Sequence, residues 1–411
     1  MESLVYGFAM SEPAAEHNWK RTFGMDLLRS VPMGITETVG STFAMFVAVG
    51  LLQVNTLSKS AIIGGPAIGL LMGFFIVALV RRSGLSVNFA AAIGWGIASL
   101  GYASAALYPN SGTIFVTGVV VALLSHALAA PLQSQIYKQH YPDKSRGRLF
   151  STVGMVKAAV SATFGYFAGI WLLGQGVNYG PLFWVFSVCS LLKAGFTLGM
   201  RPVYLRKTNK LSPFQALEHL KRDKVFRKLI SSWMLLGFGN LLCMALFVDF
   251  ITNAAYGFGY GAEKVSLITT TIPMLIFIVS IFVWGAIYDK MNFYQLRLIV
   301  NVFFFLGILV YFHSPNYTGL CIGMALHGIG KSGGTVLWSL WTTKFAPVEH
   351  VSEYMSVHTL FTGIRGVISA YLAFVIAQSF GPSNVSIVGA ICILISSLML
   401  LPELRASMAK N

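Results

Sequence analysis

Long uninterrupted apolar runs, separated by short polar or basic connections, follow one another along the whole chain. Twelve of them approach the ~20 residues that a helix needs to cross the hydrocarbon core: 31–52, 60–80, 87–107, 113–135, 150–173, 182–200, 230–252, 266–287, 296–312, 317–340, 354–379 and 385–401. The runs are continuous rather than alternating, so they predict membrane-spanning α-helices and not the strands of a barrel. Six runs fall on each side of a long basic connection.

Composition agrees with that pattern. The 411 residues are 55% hydrophobic and only 10% charged, with a mean hydropathy of +0.70, which excludes a soluble enzyme, a disordered chain or a coiled coil. A net charge of +15 would raise the question of nucleic acid in a soluble protein. Here the placement of the charges gives another meaning. With both termini cytoplasmic, the inner loops and tails hold 23 of the 29 Lys and Arg, nine of them in 201–229. Only Lys59 and Lys264 fall in outer loops, while Lys157, Lys193, Lys331 and Arg365 sit within runs. Such a bias is topogenic, and it predicts a multi-pass protein of the cell (inner) membrane with lipid, not nucleic acid, around it.

Residues 1–29 have no basic segment leading into a short apolar run and a small-residue cleavage site, so the first run is expected to stay as a span. Cys189, Cys243, Cys321 and Cys392 all lie in apolar runs and read as small core residues, and no cluster has metal-ligand spacing. The predicted organisation is a cytoplasmic tail (1–30), an N-terminal six-helix bundle (31–200), a basic linker (201–229) and a C-terminal six-helix bundle with a short tail (230–411). Within the linker, Ser212-Pro213-Phe214-Gln215 resembles a helix start, and Leu211, Phe214, Leu217 and Leu220 predict an amphipathic face lying on anionic headgroups.

Laid over itself at half its length, the chain matches Gly34 with Gly239, Gly118 with Gly323, Pro142 with Pro347 and Ser151 with Ser356, and sets His126 on Lys331. A duplicated six-helix unit is a transporter design with its site near the midplane between the repeats. On these features, and on Gly285-Ala286-Ile287-Tyr288-Asp289-Lys290 after the eighth run, the chain resembles the major facilitator superfamily. Gly285, Asp289 and Lys290 match the family's loop signature. Asn292 replaces its later glycine, and the N-terminal counterpart Arg81-Arg82-Ser83-Gly84 has no aspartate. The resemblance implies a cytoplasmic gate of Gly285, Asp289 and Lys290; the residues alone also fit a solvated loop acid.

Small residues form two ladders: Gly65, Gly69 and Gly73 in the second run, Gly165 and Gly169 in the fifth. In the resembled fold these runs line the contact between halves, where such faces suit either sliding or static packing. The fifth run lacks the proline that drug–proton antiporters of the superfamily carry beside their glycines. Gly330-Lys331-Ser332 mimics the end of a phosphate loop, but Ala325 stands at the required first glycine and no strand precedes it, so nucleotide hydrolysis is excluded.

Ionisable residues inside spans are expensive and point to sites. The acids are Glu37 and Asp249; the bases are Lys157, Lys193, Lys331 and Arg365, joined by His126, His327 and His358. Lys157 and Lys193 lie toward the cytoplasmic ends and are expected to snorkel. Glu37, His126, Lys331 and Arg365 are nearer mid-span, and the resemblance places the first, fourth, seventh and tenth spans around the cavity. The expected substrate-binding set is therefore Lys331, Arg365, His126, His327 and Trp338, with Glu37 and then Asp249 as proton-coupling acids. An internal Glu37–Arg365 or Glu37–Lys331 pair that only holds the fold remains open. Excess cations favour an anionic or zwitterionic solute. The expected function is proton-coupled secondary transport by alternating access, as a monomer without cofactor or enzyme chemistry. A multidrug or lipid-like exporter of the same fold, a membrane-embedded enzyme using the histidines and a non-transporting sensor are the alternatives.

Overall fold

A computed structural model describes residues 12–142, 146–174, 178–205, 217–346 and 351–408. Among them there is no strand, and twelve long helices carry the chain back and forth. In the N-terminal half these are α1 (Glu12–Thr38, continued to Leu51), α2 (Thr56–Ser83), α3 (Val87–Leu107), α4 (Gly112–Leu128, continued by Ala130–His140), α5 (Arg146–Gly174) and α6 (Gly180–Gly199). In the C-terminal half they are α7 (Lys224–Thr252), α8 (Ala262–Ser266, continued to Lys290), α9 (Phe293–His313), α10 (Tyr317–Phe345), α11 (Val351–Phe380) and α12 (Pro382–Leu398). Nine are long and apolar enough among the described residues to span a membrane by length and composition. Local chemistry sets several starts: Asn55, Ser86, Ser111 and Asp223 each accept a bond from a backbone N–H three residues on.

Helices α1 to α6 pack on one another, as do α7 to α12, and the two bundles meet mainly through α2 on α11 and α5 on α8. The repeat seen in the sequence has a packing counterpart. Gly118 of α4 lies on Gly101 of α3, and Gly323 of α10 lies on Tyr311 of α9. The fifth-span glycine ladder reaches the other half, with Gly165 and Gly169 facing Ser266, Thr270 and Ala262 of α8. Gly65 and Gly69 instead face α4 of their own bundle, not the contact between halves that the resemblance implied.

Three boundaries move. The first helix begins well before residue 31, and Asp26 and Arg29, expected in a solvated tail, are 0% exposed. Burial is tolerable because Arg29 Nη2 reaches Asp26 Oδ1 at 2.5 Å and Tyr141 donates to Asp26 Oδ2 at 2.9 Å. The seventh helix begins at Lys224 rather than 230, capped by Asp223. The proposed start of the linker helix at Ser212 lies outside the described residues, which show one short turn there, Glu218–Arg222.

Candidate functional site

Several hydrogen bonds and an ion pair join the halves in the part of the molecule away from Glu12 and Met408. There α1 and α8 each contain a widened turn, Val39–Phe43 and Leu267–Thr271, that turns hydroxyls toward the opposite helix. Ser41 meets Thr270 at 2.8 Å and Thr42 meets Thr269 at 2.7 Å. Lys59 Nζ meets Asp249 Oδ1 at 2.7 Å, and Gln378 bonds Thr56. Lys59, expected in an outer loop, thus belongs to α2 as a largely buried partner. Asp249, expected as a coupling acid, is occupied in joining α7 to α2.

Removing one partner of such a pair leaves a buried charge and costs about 3–5 kcal/mol. Asp249→Asn is therefore expected to loosen this end. A cysteine at Thr252, which is 8% exposed in this arrangement, should react faster with a membrane-impermeant maleimide in that variant than in its parent, both without the native cysteines. Equal labelling rates would show that Lys59–Asp249 does not hold this end closed.

Nearer the middle, α1 and α5 come close because Gly34 has no side chain; a methyl there would lie 2.5 Å from the Lys157 carbonyl oxygen. One turn along, Glu37 Oε2 lies 3.5 Å from Lys157 Nζ, with side chains 38% and 30% exposed. Lys157 does not snorkel; it faces Glu37 in a mid-helix space that solvent reaches. Lys331, half-buried on α10 of the other bundle, acts electrostatically on both of them. One acid and two bases, contributed by α1, α5 and α10, make a group of net charge +1 between the halves.

Lys193 also departs from expectation. It is 3% exposed, with Nζ 3.1 Å from Thr36 Oγ1 and 3.2 Å from the His126 ring nitrogens. Its ammonium lies 5.6 Å over the Trp95 ring. His126 is held edge-on by Tyr102 at 5.7 Å and by Ser190 at 3.3 Å. An ammonium donor requires an unprotonated nitrogen on His126, which makes it a packed acceptor for Lys193. The signal was present in the sequence: Ser187, Ser190, Lys193 and Thr197 form a polar stripe at helical spacing on α6, and all four are buried.

In the C-terminal bundle the expected ligands separate. His327 is buried against Phe247 and Phe304, with Nε2 3.2 Å from Asn240 Oδ1, so it is a packed core histidine rather than a cavity ligand. Arg365 donates from Nη1 to the Trp233 carbonyl and lies against Gly237 of α7, where no Cβ stands in its way. It is not brought to Lys331 or Glu37; its charged neighbour is Arg297, which the sequence placed at a loop edge and the structure buries at 1%. Trp338 packs 5.5 Å from His358, and His358 Nδ1 accepts from Trp341 Nε1 at 2.9 Å.

Among the described residues, those of the expected gate make no contact with the other half in this arrangement. A side chain at Gly285 would meet nothing, so no helix approaches there closely. Lys290 is exposed and lines a recess of about 590 Å³ with Met291, Gln295 and Met408, all of the same half. The Asp289 side chain lies outside the described residues.

Comparison with known proteins fits this geometry. The family model of the Major Facilitator Superfamily matches residues 31–300 and 244–411. A variant of the nucleoside transporter NupG is similar in structure with a TM-score of 0.74 at 12% identity, over 93% of this chain and 99% of that one. A POT family transporter in complex with a thioalcohol-conjugated peptide gives 0.72 at 13%, over 95% and 96%. The D-xylose–proton symporter gives 0.67 at 14%, over 93% and 97%. At these identities they show the fold alone. Organic cation/carnitine transporter 7 of Arabidopsis thaliana is 32% identical over 123 residues, 29% of this chain and 24% of that protein. The match spans about a quarter of that relative. The chain belongs to the Major Facilitator Superfamily and is a multi-pass membrane protein.

Proposed function

We propose that the protein moves a small carboxylate-bearing solute, anionic or zwitterionic, by proton-coupled symport and alternating access, with both termini cytoplasmic and the monomer as the working unit. The observation that supports this reading most is the Glu37, Lys157 and Lys331 group, drawn from both halves and reached by solvent. Two ammoniums offer a carboxylate its charge-assisted bonds, and Glu37 leaves a place for a cationic end. A relative whose name includes carnitine, a zwitterion of that kind, favours the same class. The joined distal end fits a state open toward the termini.

Purified protein in sealed vesicles tests the proposal. Counterflow of radiolabelled carnitine, small amino acids and dicarboxylates should exceed that of uncharged nucleosides and pentoses. Flux confined to the uncharged solutes would overturn the charge assignment, and binding without flux would make the protein a sensor.

A further inference from the structure

Around Trp233, on α7, stand four buried N–H groups that have no acceptor among the described residues: its own indole Nε1, Arg297 Nη2, His358 Nε2 and Arg365 Nε. They belong to groups that touch one another. The Arg297 guanidinium lies 3.3 Å over the Trp233 ring, and the His358 ring is 5.2 Å from it. Arg365 is bonded to the Trp233 carbonyl. Because His358 Nδ1 accepts from Trp341, its proton is on Nε2, which is therefore a donor as well. Two guanidiniums near enough to act on each other have, among the described residues, an amide and a backbone carbonyl as their hydrogen-bond partners, Asn301 Oδ1 for Arg297 at 3.3 Å and the Trp233 carbonyl for Arg365. Buried charges and donors in such numbers require an anion to balance them.

The other half answers the same need from within. Helices α1 and α3 correspond to α7 and α9, and across the first pair Arg29 lies 5.2 Å over the Trp95 ring. The arginine–tryptophan pair of one half is the tryptophan–arginine pair of the other. Arg29, however, has Asp26 at 2.5 Å, with Tyr137 at 2.7 Å and Thr197 at 3.1 Å. Arg297 has Asn301 in place of a carboxylate.

We propose that a small inorganic anion, of the charge and size of chloride, binds among Trp233, Arg297, His358 and Arg365 and serves as the counter-charge of the C-terminal bundle. Trp233 is 4% exposed, Arg297 1% and His358 0%, with Arg365 half-buried beside them, so the four donors lie among closely packed side chains, surroundings that suit a monatomic ion better than an organic solute. The site is separate from the Glu37–Lys331 group and does not depend on what that group transports.

The test uses full-length protein in detergent, exchanged into sodium gluconate and titrated with chloride at constant ionic strength while thermal unfolding is followed. A ligand of the native state raises the apparent Tm by mass action, so a saturable rise of about 2 °C or more is expected, with none for acetate. Asn301→Asp supplies the missing carboxylate beside Arg297. That variant should match chloride-loaded wild type when in gluconate and should no longer respond to chloride. Arg297→Gln should also lose the response, and Asn301→Asp decides the matter if Arg297→Gln does not fold. Identical wild-type Tm values in chloride and gluconate would overturn the proposal. So would an equal rise in acetate, which marks a carboxylate site, or a full chloride response in Asn301→Asp.

Discussion

Lys331→Gln is expected to abolish uptake of a carboxylate-bearing solute while leaving a folded, membrane-inserted protein. Truncating one side of a desolvated, hydrogen-bonded charge pair costs about 2–5 kcal/mol, which is roughly 30-fold to several thousand-fold in affinity. Lys331 stands half-buried on α10 and acts on Glu37 and Lys157 across the divide between halves, so its loss removes the only C-terminal charge of that group among the described residues. The competing possibility is that Lys331 merely neutralises Glu37. A double-mutant cycle separates the two. If the ammonium serves the acid alone, Glu37→Gln added to Lys331→Gln should restore solute counterflow, which needs no coupling acid, because both charges then vanish together. If it holds the solute, the double variant should remain as inactive as the single one. Uptake near wild type in Lys331→Gln alone would end the assignment. Arg365→Gln is expected to act differently, through the charge balance around Trp233, and so to alter thermal stability and its chloride dependence.

The spans were legible because a helix in lipid must be apolar over nearly its whole length, and that requirement is written locally in the chain. Partners of buried charges are not written locally. Asp26 and Arg29 looked like tail residues because Tyr137, Tyr141 and Thr197, which make their burial tolerable, lie more than a hundred residues away. Lys59 looked like an outer loop for the same reason, its acid being Asp249. Arg297 stands two residues after Gln295 at the edge of an apolar run, where hydropathy cannot tell a helix start from a loop. The structure resolves it by laying the guanidinium on Trp233. Lys193 is the instructive exception. Its depth was readable from the serines and threonine sharing its face, a periodicity that an estimate based on distance from the helix end ignores. Arg365 and Lys331, expected to hold one solute together, have different neighbours because mid-span position fixes depth and not azimuth. Residues on α10 and α11 at similar depth can face different spaces.

Glu37→Gln is expected to separate two activities that wild type performs together, retaining counterflow and losing accumulation driven by a pH gradient. Counterflow needs only the exchange of loaded carriers. Accumulation needs a group that binds a proton in one state and releases it in the other. Carboxylates hold protons poorly beside cations and well away from them. Lys157 is carried by the same bundle as Glu37, at 3.5 Å, whereas Lys331 belongs to the opposite bundle. Any rocking of the halves changes the distance from Glu37 to Lys331 and leaves its distance to Lys157 largely fixed, which is the asymmetry that coupling requires. Asp249 also has its cation, Lys59, on the opposite bundle, but in this state it is closed against that cation with 1% exposure and is shut off from solvent, unlike Glu37. In vesicles with an imposed pH gradient, wild type should concentrate the solute and the variant should only equilibrate it. A variant that still concentrates solute would make Glu37 a structural partner of Lys157 and return the search for the coupling group to Asp249.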